Sequence, residues 1–289
     1  MSKIDRNSSR PVSRNAARPS APPKTLRGSR GGTGGGGGGL KSGEWLYGRH
    51  TVLAALHNPN RTLGCLYVSE AAEGDEALWQ AADQRDIQPQ RASATDLARW
   101  LPIGAVHQGI VLQAKPLDQP HLLDFLDELP TRLGQGQGGR LLLLDHVVDP
   151  QNLGSLLRSA AAFGALAVIV THDRSPPLNA TVAKAASGAV EIVPVITVAN
   201  LGQAMAKVKE AGFWCVGLDE GGSQTLDQVR LGNRIALVLG AEGDGLRRLT
   251  RSQCDLVAQL PTNPAFPTLN AAVAGAVALY QLCLGEQGV

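Results

Sequence analysis

The chain has 289 residues, an ordinary apolar share of 43%, and 27 Lys or Arg against 25 Asp or Glu. That length allows two domains, or one with an appendage, and no apolar run approaches the roughly 18 residues of a membrane-spanning helix. The N-terminus is basic but lacks the apolar stretch of a signal peptide, and Cys65, Cys215, Cys254 and Cys283 form no C-x-x-C pair, so a cytoplasmic protein with reduced, mostly buried thiols and no metal centre is expected.

Residues 1 to 43 carry nine basic side chains against the single acid Asp5, leaving 18 basic and 24 acidic residues in the rest of the chain. A basic arm on an acidic body suits a polyanion, because each phosphate it neutralises releases counterions; a solubilising tail fits the same charges. The arm closes on GSRGGTGGGGGGLKSGE, where glycines have much entropy to lose and little surface to bury, so disorder is predicted. These glycines bind no nucleotide by motif. No strand precedes them as a dinucleotide fingerprint requires, and Leu40 stands where a phosphate loop needs glycine before Lys41-Ser42.

Order is predicted from Glu44. GRHTVLAALHNP places Val52, Leu53 and Leu56 on one helical face and stops at Asn58-Pro59, and GCLYVS reads as a short strand. DEALWQAADQR is helical, TDLARWL starts a helix at a Thr cap, and HQGIVLQAK returns as a strand, which together make a small α/β domain. An amphipathic connector, HLLDFLDEL, and a flexible GQGQGG follow.

From Arg140 the pattern changes. The apolar strands RLLLLD, AVIVT, IVPVIT, WCVGLD, RIALVLG and DLVAQL alternate with helical SLLRSAAAFG, NATVAKAASGA and LGQAMAKVKEAG. Near-continuous apolar strands separated by helices predict a parallel sheet covered on both faces, with ligands beyond the carboxyl ends of its strands.

Three loops at such ends hold the candidate chemistry. In DHVVDPQNLGSLLRSAAAFGA, Asn152 sits near a helix start, Gly154 permits close backbone approach, and Arg158 lies six residues on, in the second turn. In LVLGAEGDGLRRLTR, Gly240, Gly243 and Gly245 flank Glu242 directly after a strand, where a carboxylate needs a partner, and Arg247, Arg248 and Arg251 form a basic cluster. The third loop, NPAFPTLNAAVAGA, opens a helix of small residues. Each alone is a weak signal, since Asn caps helices and Arg decorates them widely. His146 adjoins the first loop; the remaining histidines are scattered.

In order and spacing the three loops, with YGRHTVLAAL, HQGI at 107–110 and DRSPPLNATVAKAASGAVE at 173–191, resemble the SpoU (TrmH-like) family of RNA ribose 2′-O-methyltransferases from Tyr47 to Leu284. They are most similar to the branch that methylates a guanosine ribose of large-subunit ribosomal RNA. The resemblance implies an α/β protein with a C-terminal SPOUT-type, trefoil-knotted parallel sheet that binds S-adenosylmethionine. It also implies a smaller N-terminal L30e-like α/β domain for RNA, and a homodimer whose active site is assembled across the interface. The layout is then a disordered basic arm over 1–43, an RNA-substrate domain over 44–115, a linker over 116–139 and the methyltransferase domain over 140–289.

Carried over by motif, Gly240, Thr268 and the backbone at Leu260 and Leu269 contact the cofactor, while Asn152, Arg158, Glu242 and Asn270 match the family's catalytic polar residues. Arg158 resembles an arginine proposed to help deprotonate the ribose hydroxyl; stabilising the emerging alkoxide suits a guanidinium better, because it stays protonated. The sulfonium already carries a good leaving group, so the chemistry needs no metal. Thr268 replaces a common Ser and can still cap the helix, whereas Pro264 stands where relatives commonly have Gly, which fixes φ and removes a donor. Ala272 also loses a small hydroxyl. Two alternatives follow: a transfer RNA 2′-O-methyltransferase, and a non-catalytic RNA-binding or ribosome-assembly protein with an altered third loop.

Overall fold

The computed structural model describes residues 40, 43–134, 137–229, 232–243, 245–263, 265–266 and 268–286. Nearly all of the basic arm, with the disorder predicted for it, lies outside these residues, as do Pro264 and Pro267. Leu40 is already held: its N–H reaches the Gln113 side-chain oxygen at 3.2 Å and its carbonyl accepts from that amide at 3.0 Å.

Strands β1 (Glu44–Tyr47), β2 (Leu63–Val68), β3 (Gln90–Arg91) and β4 (Ile110–Ala114) form a four-stranded sheet in the order β1-β4-β2-β3. Its antiparallel pairs are β1 with β4 and β4 with β2; β3 joins β2 in parallel. Helices α1 (Arg49–His57), α2 (Glu76–Asp83) and α3 (Ala94–Arg99) cover it. The α3 cap is Ser93, whose hydroxyl accepts from the Asp96 N–H at 3.1 Å, rather than the Thr95 expected from sequence. Both residues suit a cap, and the extended backbone at Ser93 decides between them.

Helix α4 (Leu122–Leu133) follows, then the larger sheet: β5 (Gly139–Leu144), α5 (Pro150–Ala162), β6 (Ala167–Thr171), α6 (Ala180–Ala185), β7 (Val195–Val198), α7 (Leu201–Glu210), β8 (Trp214–Leu218), β9 (Gln224–Thr225), β10 (Arg234–Leu239), α8 (Arg248–Gln253), β11 (Leu256–Gln259) and α9 (Ala271–Glu286). All its pairings are parallel, in the order β7-β6-β5-β10-β8-β11-β9. The two residues of β9 carry no apolar signal, so the sequence does not announce this edge strand.

Strand alternation divides the core. Leu142, Leu144, Val168, Val170, Leu237 and Leu239 face α5, α6 and α9, while Leu141, Leu143, Ile169 and Val238 face α4 and α7. Each leucine so buried contributes roughly 1.5–3 kcal/mol. Helix α4, expected as a connector, is part of this packing: Phe125, Leu126 and Leu129 are buried with Leu141 and Met205. Cys215 and Cys254 are packed here too, and burial pushes their thiols up to about 12 and about 11. Among the described residues, no helix is long and apolar enough to cross a membrane.

The small sheet and the large one share a single core, in which Leu46, Val52 and Leu56 are packed with Leu156 and Val182. Polar ties reinforce that junction. The Thr51 hydroxyl donates to the Ala183 carbonyl at 3.3 Å, and the Asn58 amide donates to Glu191 at 2.8 Å. Arg61, buried between two acids, pairs with Glu44 and approaches Glu191 to 3.7 Å. Burial pushes the Glu191 carboxyl above its ordinary value, against the opposing pull of Arg61 and the Asn58 amide.

Arg61→Ala should therefore cost about 3 kcal/mol at neutral pH, measured by urea unfolding, because it strands a buried carboxylate. A carboxyl whose folded pKa is raised destabilises the fold as pH climbs through that value. The deficit of the variant should accordingly shrink as pH falls and Glu191 protonates.

Candidate functional site

A cleft of about 700 Å³ opens beyond the carboxyl ends of three adjacent strands, β10, β8 and β11. Leu218, Leu239 and Leu260 give it apolar walls, and Asp219, Glu220 and Glu242 place carboxylates around them. Gly240, Thr268, Leu269 and Asn270 also line it. This is where an open parallel sheet binds ligands, and the volume lies within the roughly 300–1,000 Å³ usual for such sites.

Three loops meet there. Asp149 caps α5, accepting from the Gln151 N–H at 3.3 Å and the Asn152 N–H at 3.1 Å, with Pro150 preset at the first helical position. The cap fixes Asn152, whose side-chain amide donates to one Glu242 oxygen at 3.1 Å. Asn270 donates to the other Glu242 oxygen at 3.1 Å and to the Asn152 side-chain oxygen at 3.0 Å. Its own oxygen accepts from the Ala272 and Val273 N–H groups at 2.9 and 3.3 Å, so Asn270, not Thr268, caps α9. One carboxylate thus joins all three loops predicted to carry chemistry.

Gly240 is required by a doubling back of the chain. A Cβ there would lie 2.0 Å from the Gly245 carbonyl, and the Gly245 N–H donates to the Ala241 carbonyl at 3.1 Å. Gly154 has a different reason from the expected one. A Cβ at that position would meet the Ala185 Cβ at 2.3 Å, so the close approach is of α5 to α6 rather than to a ligand.

The arginines after Glu242 also differ from expectation. Arg247 clamps the buried Asp145, with Nε and Nη2 at 2.7 and 2.6 Å, and Arg251 pairs with Asp219 at 2.5 Å while donating to the Gly221 carbonyl at 2.7 Å. Of the three, Arg248 alone is exposed without a polar partner among the described residues, and the pairing of Arg247 and Arg251 with acids breaks up the expected basic cluster. Burial acts to raise the Asp219 carboxyl, but the Gly221 N–H, Arg251 and the Leu246 N–H together hold it below its ordinary value. Asp219 and Glu220 escaped the sequence reading although they follow an apolar strand and precede two glycines, the same signal that marked Glu242. His146 has a left-handed φ of 63°, and burial, then the nearby Arg247, pushes its imidazole below the ordinary histidine value.

Arg158 is not in this cleft. It lines a separate pocket of about 210 Å³ with His50, Ala161, Ala186, Ser187, Ala189 and Ile192. Within one chain, then, seven of the eight predicted residues gather at the cleft and the arginine faces elsewhere.

Fold and cleft together define a two-part α/β protein whose larger sheet carries a ligand site at its strand ends. The SpoU rRNA Methylase family matches residues 139–280, and an RNA 2′-O ribose methyltransferase substrate-binding domain matches residues 45–120. The 23S rRNA (guanosine-2′-O-)-methyltransferase RlmB of Vibrio parahaemolyticus is 38% identical over 245 residues, spanning 83% of this chain and 96% of the relative. That of Escherichia coli K12 is 39% identical over 240 residues, with 82% and 97% covered. Among solved structures, the SpoU methyltransferase AviRb of Streptomyces viridochromogenes with AdoMet superposes at a TM-score of 0.68, with 23% identity over 84% of this chain and 90% of that one. An AdoMet-bound rRNA methyltransferase of Sinorhizobium meliloti gives 0.67, with 20% identity and 84% and 87% covered. The chain belongs to the SpoU rRNA methylase family.

Glu242→Ala should leave the Asn152 and Asn270 amides without their shared acceptor. We expect a loss of about 1–3 kcal/mol by thermal unfolding, together with weakened ligand binding in the cleft by calorimetry.

Proposed function

We propose that the protein methylates the 2′-hydroxyl of a guanosine ribose in 23S ribosomal RNA, using S-adenosylmethionine. The observation that carries this reading is the cleft at the strand ends, where three loops of the family's motifs are joined through Glu242. Its residues fit the cofactor. Leu218, Leu239 and Leu260 offer apolar walls to a flat base, the fold of Gly240 against Gly245 leaves backbone in place of a side chain, and Asp219, Glu220 and Glu242 offer acceptors. Gly240, Thr268 and the backbone at Leu260 and Leu269 would hold it, and when bound it supplies a methyl group on a sulfonium.

The protein's own residues must align the ribose oxygen and stabilise the charge that develops there. Asn152 and Asn270 are held in fixed orientation by Glu242 and by the helix caps described above. Arg158 brings a guanidinium and is assigned to the emerging alkoxide. It faces away from the cleft of its own chain, which supports a second copy bringing it to the reaction. Helix α9 supplies an apolar surface for that copy, since Val273, Val277 and Tyr280 lie on one stripe and are 49%, 44% and 50% exposed. A trefoil-knotted path, a homodimer and a cytoplasmic site of action belong to the same reading, as do the RNA-substrate domain over 44–115 and the methyltransferase domain over 140–289.

Arg158→Ala should abolish methyl transfer to 23S rRNA while leaving S-adenosylmethionine affinity within about twofold; normal turnover would refute its role. A wild-type protein that binds no cofactor by calorimetry would refute the enzyme reading as a whole. Val277→Asp should convert dimer to monomer in analytical ultracentrifugation, and methyl transfer should fall with it.

A further inference from the structure

Where the two sheets meet, one cation is set apart from the others. Lys184, the penultimate residue of α6, reaches across to the small sheet and donates to the Gln108 side-chain oxygen at 3.1 Å. Gln108 is held with a left-handed φ of 55°, and the same oxygen accepts from the Arg49 N–H at 3.1 Å. Gly48 makes room for the ammonium, since a Cβ there would come within 2.1 Å of Nζ. No carboxylate of the described residues lies within ion-pair distance of Lys184, and burial alone pushes its pKa down. The neighbouring Arg49 is committed elsewhere, to Asp75 at 2.6 and 3.0 Å.

A half-buried ammonium without a counter-charge costs free energy unless an anion completes it. The surroundings say which anion. Gly48 is two residues from His50, and Lys184 is three from Ser187; His50 and Ser187 line the pocket that holds Arg158. The end of α6 and the start of α1 meet beside that pocket, where a Cβ on Gly188 would lie 3.0 Å from the His50 carbonyl, so RNA reaching Arg158 is the polyanion these neighbours favour.

We propose that Lys184, positioned by Gln108 and Gly48, is a phosphodiester seat for the RNA substrate where it crosses from the small sheet to the large one. This rests on the methyltransferase reading, and the test separates the two. The full-length wild type, Lys184→Gln, Lys184→Arg and Gln108→Glu are compared for 23S rRNA binding across a salt series, for S-adenosylmethionine binding and for thermal unfolding. Lys184→Gln should weaken RNA binding on the order of tenfold and reduce the slope of log K against log salt by about one. Lys184→Arg should restore both, and no variant should alter cofactor affinity.

Gln108→Glu is the decisive variant. A carboxylate beside the ammonium should raise the unfolding temperature by tightening the junction, yet weaken RNA binding as Lys184→Gln does. A lysine that merely joins the sheets would give wild-type RNA affinity and salt slope in both variants, and that result overturns the seat. A wild type that binds cofactor but shows no salt-dependent affinity for the RNA overturns the substrate reading, and the seat with it, before any variant is compared.

Discussion

A single carboxylate holds together loops that leave the sheet at widely separated points of the chain. Glu242 accepts from Asn152 and from Asn270, and those two amides also bond to each other, so all three side chains constrain one another. Such a group, placed directly after a buried strand, is costly without partners and specific with them. Its partners are themselves fixed by helix termini: Asn152 by the Asp149 cap and Asn270 by its own capping of α9. The cleft is thus shaped by polar geometry laid on an apolar sheet, and the same bonds that stabilise it set the positions of the groups assigned to the reaction.

Two ion pairs near that cluster use arginines as clamps. Arg247 ties the first loop to the second through Asp145, and Arg251 ties α8 to the turn after β8 through Asp219. The acidic balance of the ordered chain therefore understates how its cations are distributed. Several are consumed in structure, while Lys184 and Arg158 lie where the small sheet adjoins the large one.

Much of this was legible from residue order. Apolar strands alternating with helices identify a doubly covered parallel sheet, and an acid flanked by glycines after a strand identifies the cleft loop. What the sequence could not reveal depends on partners distant along the chain. Gly154 reads as clearance for a ligand, yet its neighbour is Ala185 of another helix. The arginines after Glu242 read as a basic face because Asp145 and Asp219, their actual partners, lie 102 and 32 residues away. Arg158 shares a motif with Asn152 but projects about 120° away around the helix, into a different pocket, and the sequence does not say what packs against each face.

The strand order carries a kinetic cost. β10 lies between β5 and β8, although both of those strands precede it in the chain. Until Arg234–Leu239 has emerged, the inner edges of β5 and β8 have no neighbour to pair with. Long-range parallel pairing of this kind is slow, and open edges with near-continuous apolar faces invite pairing with other chains. The arrangement that brings three strand ends to one cleft thus makes the nascent protein dependent on its late segments, and makes rapid completion of the sheet, rather than the stability of the finished fold, the step most vulnerable to aggregation.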